Sequence, residues 1–154
     1  GPVDGVDDPP VLDETHVATP AAATLIRNGA TTDLVASPVT ALDEAIVLCT
    51  HPDMFDTPEL AAAFGRLEDR VRLVRYSGDC VNYGLLAAGQ VHLVVENQLA
   101  PYDILPLVPI IEGSGAVVSD RAGGHPFAGG FVVAACTPGL HQAALEVLTA
   151  DGDA

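Results

Sequence analysis

The sequence predicts a layered α/β fold, and three observations carry that expectation. From residue 45 onward, strand-like apolar runs alternate with stretches of helical, amphipathic spacing. Hydrophobic residues make up 49% of the 154 and charged residues only 18%, which supplies a core and argues against disorder. No internal repeat or low-complexity linker divides the chain, so 1–154 reads as a single domain. Within it, 1–44 is a strand-rich, irregular lead-in and 45–150 an α/β core, a mixed sheet with helices packed on it.

In the lead-in, Val11-Leu12, Val17-Ala18 and Leu25-Ile26 are short apolar pieces suited to strands, and Asn28-Gly29 is a hairpin-turn signal. Ser37-Pro38 reads as an N-cap and first helical residue, predicting a short helix through Leu42 to Ala45. Ala45 to Cys49 is a buried strand. Thr57-Pro58 opens a helix carrying Leu60, Ala63, Phe64 and Leu67 on one face. Val71 and Leu73, alternating with Arg72 and Arg75, suit a strand with one wet face. Gly78-Asp79 caps a helix that runs to Ala88 and stops at Gly89. Val91 to Glu96 is a strand, and Asp103 begins a helix ending by Gly113. Pro106 falls early enough there to be harmless, whereas Pro109 should kink it. Ala116–Ser119 and Phe131–Ala135 are strands bridged by the Gly123-Gly124 turn, and a last helix spans about Pro138 to Leu148.

The net charge is −15, with six arginines and no lysine. Nucleic acid and anionic membrane partners need cationic side chains against their phosphates, so neither is expected. No apolar run approaches the roughly 18 residues of a membrane span and no signal-peptide pattern opens the chain, so a cytoplasmic protein is expected. Cys49, Cys80 and Cys136 show no metal or disulfide spacing. Cys80 sits at an expected helix start, where the dipole lowers a thiol pKa, but it reads first as a small buried side chain and only second as a reactive thiol.

Several motifs in order resemble the inositol monophosphatase superfamily. Pro101-Tyr102-Asp103 followed by Glu112-Gly113-Ser114-Gly115-Ala116 through Asp120 is similar to that family's second signature. Gly78-Asp79-Cys80, with Tyr83 and Leu86-Ala87-Ala88-Gly89, resembles its histidinol-phosphate phosphatase branch. Pro52-Asp53-Met54-Phe55 and the stretch from Val3 to Glu14 also match. The resemblance implies the C-terminal domain of that fold plus remnant N-terminal strands, a truncated form without the upstream acidic motifs that bind magnesium. Of the metal-binding carboxylates only Asp103 would remain, so no metal or other cofactor is expected unless a partner completes the site. With the larger N-terminal layer gone, uncovered apolar area predicts a homodimer, a higher homo-oligomer or a complex with a separate protein.

Resemblance further implies that Glu96, seven residues before Asp103, contacts substrate. Glu96 should end its strand at the C-terminal edge of the sheet, where α/β ligand sites gather. With Gly78, Asp79 and Tyr102 it would form a small-molecule cleft. His51 adds a group able to titrate near neutrality, and Glu96, Asp103, Asp79 and His51 facing one cleft could move protons without metal. The leading expectation is therefore a repurposed enzyme performing metal-independent cyclisation, elimination or isomerisation. Two alternatives stand beside it: a non-catalytic pseudoenzyme that binds a ligand or partner, and a magnesium-dependent phosphatase of histidinol phosphate or a sugar phosphate, completed by another chain.

Overall fold

The computed structural model describes residues 2–9, 13–19 and 22–150. Val11-Leu12 lies outside them. The lead-in is a regular antiparallel sheet of β1 (Gly5–Asp7), β2 (Glu14–Thr19), β3 (Ala22–Arg27) and β4 (Ala30–Asp33), in that spatial order. Asn28 and Gly29, at φ 51° and 76°, close the β3–β4 hairpin between the paired residues Arg27 and Ala30. Two consecutive positive φ values are what a two-residue hairpin matching strand twist requires, and Asn-Gly supplies them cheaply.

The second sheet runs β6 (Leu73–Tyr76), β5 (Ile46–Cys49), β7 (Leu93–Leu99), β9 (Gly130–Ala135), β8 (Val117–Asp120) in space. Its first three strands are parallel, and β9 and β8 are antiparallel to their neighbours. Leu93, Val94 and Val95 are fully buried, as are Val132 to Ala135. That continuous burial marks a sheet covered on both faces. On one face lie α1 (Pro58–Glu68) and α5 (Pro138–Thr149), which pack on each other. On the other lie α2 (Val81–Ala87) and α4 (Val108–Gly113). The latter also packs on β1, β2 and β3, so this helical layer lies between the two sheets. Val3, Val6 and Ile26 remain exposed.

Both long helices start as their sequences direct. Thr57 and Thr137 accept hydrogen bonds from Leu60 N–H and Leu140 N–H, each ahead of a proline in the first turn. Three expectations need correction. The helix from Ser37 is only a single 3₁₀ turn, Leu42–Glu44. Upstream, the carbonyl of Val39 accepts from the thiol of Cys136 and the hydroxyl of Thr137, which ties that segment to the start of α5 instead. The helix from Asp103 to Gly113 is two pieces, α3 (Pro101–Ile104) and α4. The break falls around Pro106, and Pro109 lies in the first turn of α4, where its missing N–H costs nothing. Asp79 does not cap α2: its φ is 50°, Cys80 holds the cap position, and no side chain caps the helix.

Candidate functional site

Parallel β5, β6 and β7 end side by side, so the residues following them converge at one edge of the sheet. Thr50 follows β5, and its carbonyl accepts from Ser77 N–H after β6. The chain then passes through Ser77, Gly78 and Asp79 at φ 80°, 118° and 50°. Three consecutive left-handed residues make a strained turn of a kind concentrated at functional sites. Gly78, at φ 118°, holds a backbone conformation that residues with a Cβ rarely adopt, and a Cβ there would also press on the Asn82 side chain.

Glu96 lies inside β7, not at its end. The strand continues to Leu99 through an irregularity at Gln98, whose φ is 62°. The carboxylate is buried, 1% exposed, and held by three donors. Thr50 gives its backbone N–H at 3.1 Å and its hydroxyl to Oε1, and the Tyr83 hydroxyl gives 2.8 Å to Oε2. A buried carboxylate is tolerable where charge-assisted hydrogen bonds replace water, and here they do. Asp79 N–H donates to Thr50 Oγ1 at 3.2 Å, extending the chain of bonds to the strained turn. Burial, then the charge of Glu96, raises the Tyr83 pKa well above its ordinary value, so Tyr83 stays a donor.

A cavity of about 250 Å³ opens above this network. Its polar wall carries Asp7, Asp79, Cys80, Tyr83, Glu96, Tyr102 and Asp103, and Val6, Leu99, Pro106 and Leu107 complete it. The cavity brings together Asp79, Glu96, Tyr102 and Asp103 of the expected set. Gly78 shapes the turn from outside the lining. His51 stands apart: its side chain is 62% exposed, and Nδ1 accepts from Asp53 N–H at 3.1 Å, capping the turn Pro52–Met54. Asp103 is at the third position of α3, where Oδ2 accepts from Ala100 N–H at 2.8 Å.

Sequence reasoning missed Asp7 and Thr50. Asp7 arrives from the first sheet, so no local spacing connects it to Glu96. Cys80 is no activated thiol, in line with the reading of it as a small buried side chain. Burial first, then the nearby Asp7 carboxylate, pushes its thiol up to about 11, overriding the dipole of the short α2. Burial pushes Cys49 up to about 12.

Among the described residues, no group of three or more His, Cys, Asp and Glu side chains converges to hold a metal ion. One oxygen of Asp103 is committed to a backbone amide. The described residues thus do not by themselves supply the oxygen set magnesium needs. No helix among them is long and apolar enough to cross a membrane.

The fold agrees with that of known proteins. The chain is 37% identical over 156 residues to the bifunctional phosphatase IMPL2, chloroplastic, of Arabidopsis thaliana, covering 96% of this chain and 44% of that protein. An inositol monophosphatase from Zymomonas mobilis superposes with a TM-score of 0.88 at 32% identity, over 96% of this chain and 58% of its own. The inositol monophosphatase from Anabaena shares the fold, with a TM-score of 0.81 at 23% identity, over 95% and 60%. This chain therefore spans from under half to about three-fifths of the relatives it matches. The model of the inositol monophosphatase family matches residues 2–151, nearly the whole chain, and with the shared fold this makes the chain a member of that family.

Proposed function

We propose that this chain forms the substrate pocket of a small-molecule phosphatase whose substrate is the phosphate ester of a cationic amino alcohol, of the histidinol-phosphate kind. One observation carries the reading: carboxylates of Asp7, Asp79, Glu96 and Asp103 line the cavity, and no Arg or Lys lines it. A phosphate group alone is repelled by such a wall, whereas a protonated amine is attracted to it. Tyr102, 78% exposed at the rim, offers an aromatic face to the same cation. The likeness of Gly78-Asp79-Cys80 to the histidinol-phosphate branch supports the amine, and the phosphatase name of the Arabidopsis relative supports the ester.

In this reading Glu96, oriented by Thr50 and Tyr83, accepts hydrogen bonds from the alcohol portion. The groups that would bind a divalent cation come from sequence outside the described residues or from a second protein. The metal-independent reading has less support. Its imidazole, His51, lies outside the cavity lining and is turned to the Asp53 amide.

Titration calorimetry with histidinol and myo-inositol tests the proposal. Histidinol should bind at least about tenfold more tightly, as one added charge-assisted contact implies. Equal affinity for the neutral polyol would sink it. Conversion of histidinol in the presence of chelator would favour metal-independent chemistry instead.

A further inference from the structure

The chain holds three asparagines, Asn28, Asn82 and Asn97, and only Asn28 precedes a glycine. Asn82 is buried in α2, and Asn97 donates its amide to the Met54 carbonyl at 2.9 Å. Asn28 is exposed, as are Gly29 and all of β4. Among the described residues its carboxamide has no hydrogen-bond partner, and the Gly29 N–H donates to none. A Cβ on Gly29 would meet nothing within 4 Å, so the peptide nitrogen there is open to water. β4 is also an edge strand, paired with β3 alone, and hairpin tips at a sheet edge open locally at little cost.

We propose that Asn28 is a site of spontaneous deamidation, and that its isoaspartate product loosens the β3–β4 hairpin. The peptide nitrogen of Gly29, its proton taken by hydroxide, attacks Cγ of Asn28. A succinimide ring closes, and the side-chain nitrogen takes up a proton and leaves as ammonia. Water then opens the ring. Cleavage of the Cγ–N bond gives aspartate on the original main chain; cleavage at the backbone carbonyl leaves the main chain running through the side chain, as isoaspartate. One water enters and one ammonia departs, so neither oxidant nor cofactor is needed. Glycine at 29 favours closure because no Cβ crowds the ring. The turn governs the rate: Asn28 and Gly29, at φ 51° and 76°, are held by the pairing of Arg27 with Ala30, and the nitrogen reaches Cγ when that tip opens.

Isoaspartate adds one methylene to the main chain, and a two-residue turn so lengthened no longer closes between Arg27 and Ala30. The damage stops at Leu34, which is buried and gives its N–H to the Ala23 carbonyl at 2.9 Å. β4 lies at the opposite edge of its sheet from β1, which carries Asp7, so the cavity wall is spared.

The test is ageing of the intact chain at mildly alkaline pH, then tryptic digestion beside an unaged control. Cleavage after Arg27 and Arg66 isolates residues 28–66, in which Asn28 is the sole Asn or Gln. That peptide should become heavier by one mass unit and accept a methyl group from protein isoaspartyl methyltransferase, while the peptides holding Asn82 and Asn97 stay unchanged. Hydrogen exchange on the aged protein should show lost protection at the amides of Ala30 and Thr32, which alternate along β4 in step with Leu34, and retained protection at Leu34. The unaged Asn28→Asp chain, which gains the charge but not the methylene, should keep protection at all three. An unchanged mass in the folded chain, under conditions where the guanidinium-unfolded chain reacts, overturns the proposal, because the closed hairpin then shields Asn28. Isoaspartate formed with exchange at Ala30 and Thr32 unaltered overturns the loosening of the hairpin.

Discussion

The hydroxyl of Tyr83 donates a 2.8 Å hydrogen bond to Oε2 of Glu96, joining α2 to the central strand at the floor of the cavity. Tyr83→Phe removes the only donor to that oxygen among the described residues and leaves a buried carboxylate half satisfied. Urea unfolding should show a loss of about 1–3 kcal/mol. A change within a few tenths would mean that Glu96 repacks without cost.

Two histidines tie stability to pH. His92 Nδ1 accepts from Ile46 N–H at 2.9 Å, and His141 Nε2 contacts Ser119 Oγ at 2.8 Å. Burial lowers both pKa values from 6.5, with Arg72 adding to the effect at His92. A lowered folded-state value means that the unfolded chain binds protons first. The stability is fully present above about pH 6.5 and is lost as pH falls through the folded values. Melting temperature should therefore drop on acidification from pH 7 to 5, and His92→Asn with His141→Asn should flatten that drop. An equally steep profile in the double variant would show that other groups govern it.

Cys80 should resist alkylation at pH 7.5, since a thiol pushed up to about 11 holds little thiolate there. Asp7→Asn removes one of the causes and should accelerate Cys80 labelling several-fold, read by mass spectrometry. Labelling unchanged by Asp7→Asn would place the carboxylate too far from the thiol to matter.

Gly5 sits where β1 meets the break between α3 and α4. A Cβ there would lie 2.1 Å from the carbonyl oxygen of Pro106, a backbone atom that cannot swing aside. Gly5→Ala should cost about 1–3 kcal/mol and weaken ligand binding, because β1 also carries Val6 and Asp7 into the cavity. A variant as stable as the parent, with unaltered binding, would contradict that fit.

The α/β core was legible because its signals are local: threonine caps before prolines, an apolar stripe along α1, and uninterrupted apolar strands. The candidate site was legible in part for the same reason, since Asp79 follows β6, Glu96 lies in β7 and Asp103 follows β7, two strands consecutive in the chain. Asp7 was hidden because it enters from the other sheet, more than seventy residues before its neighbours on the cavity wall. His51 misled for the opposite cause. Its place after β5 suits a site residue, yet its ring turns to the nearest free backbone amide. Proline misled too: the break falls around Pro106, expected to be harmless, and not at Pro109, expected to kink the helix.

α4 buries Val108, Pro109, Ile110 and Ile111, meeting β1 to β3 on one side and β8 on the other. During synthesis the four-stranded sheet can zip up once Asp33 has emerged, yet its inner face, with Ala18 and Ala23, must wait for Val108 to be translated before it is sheltered. A nascent chain thus carries an open greasy surface through much of its manufacture. Slow codons or starvation between those points would invite aggregation more than the same delay placed later.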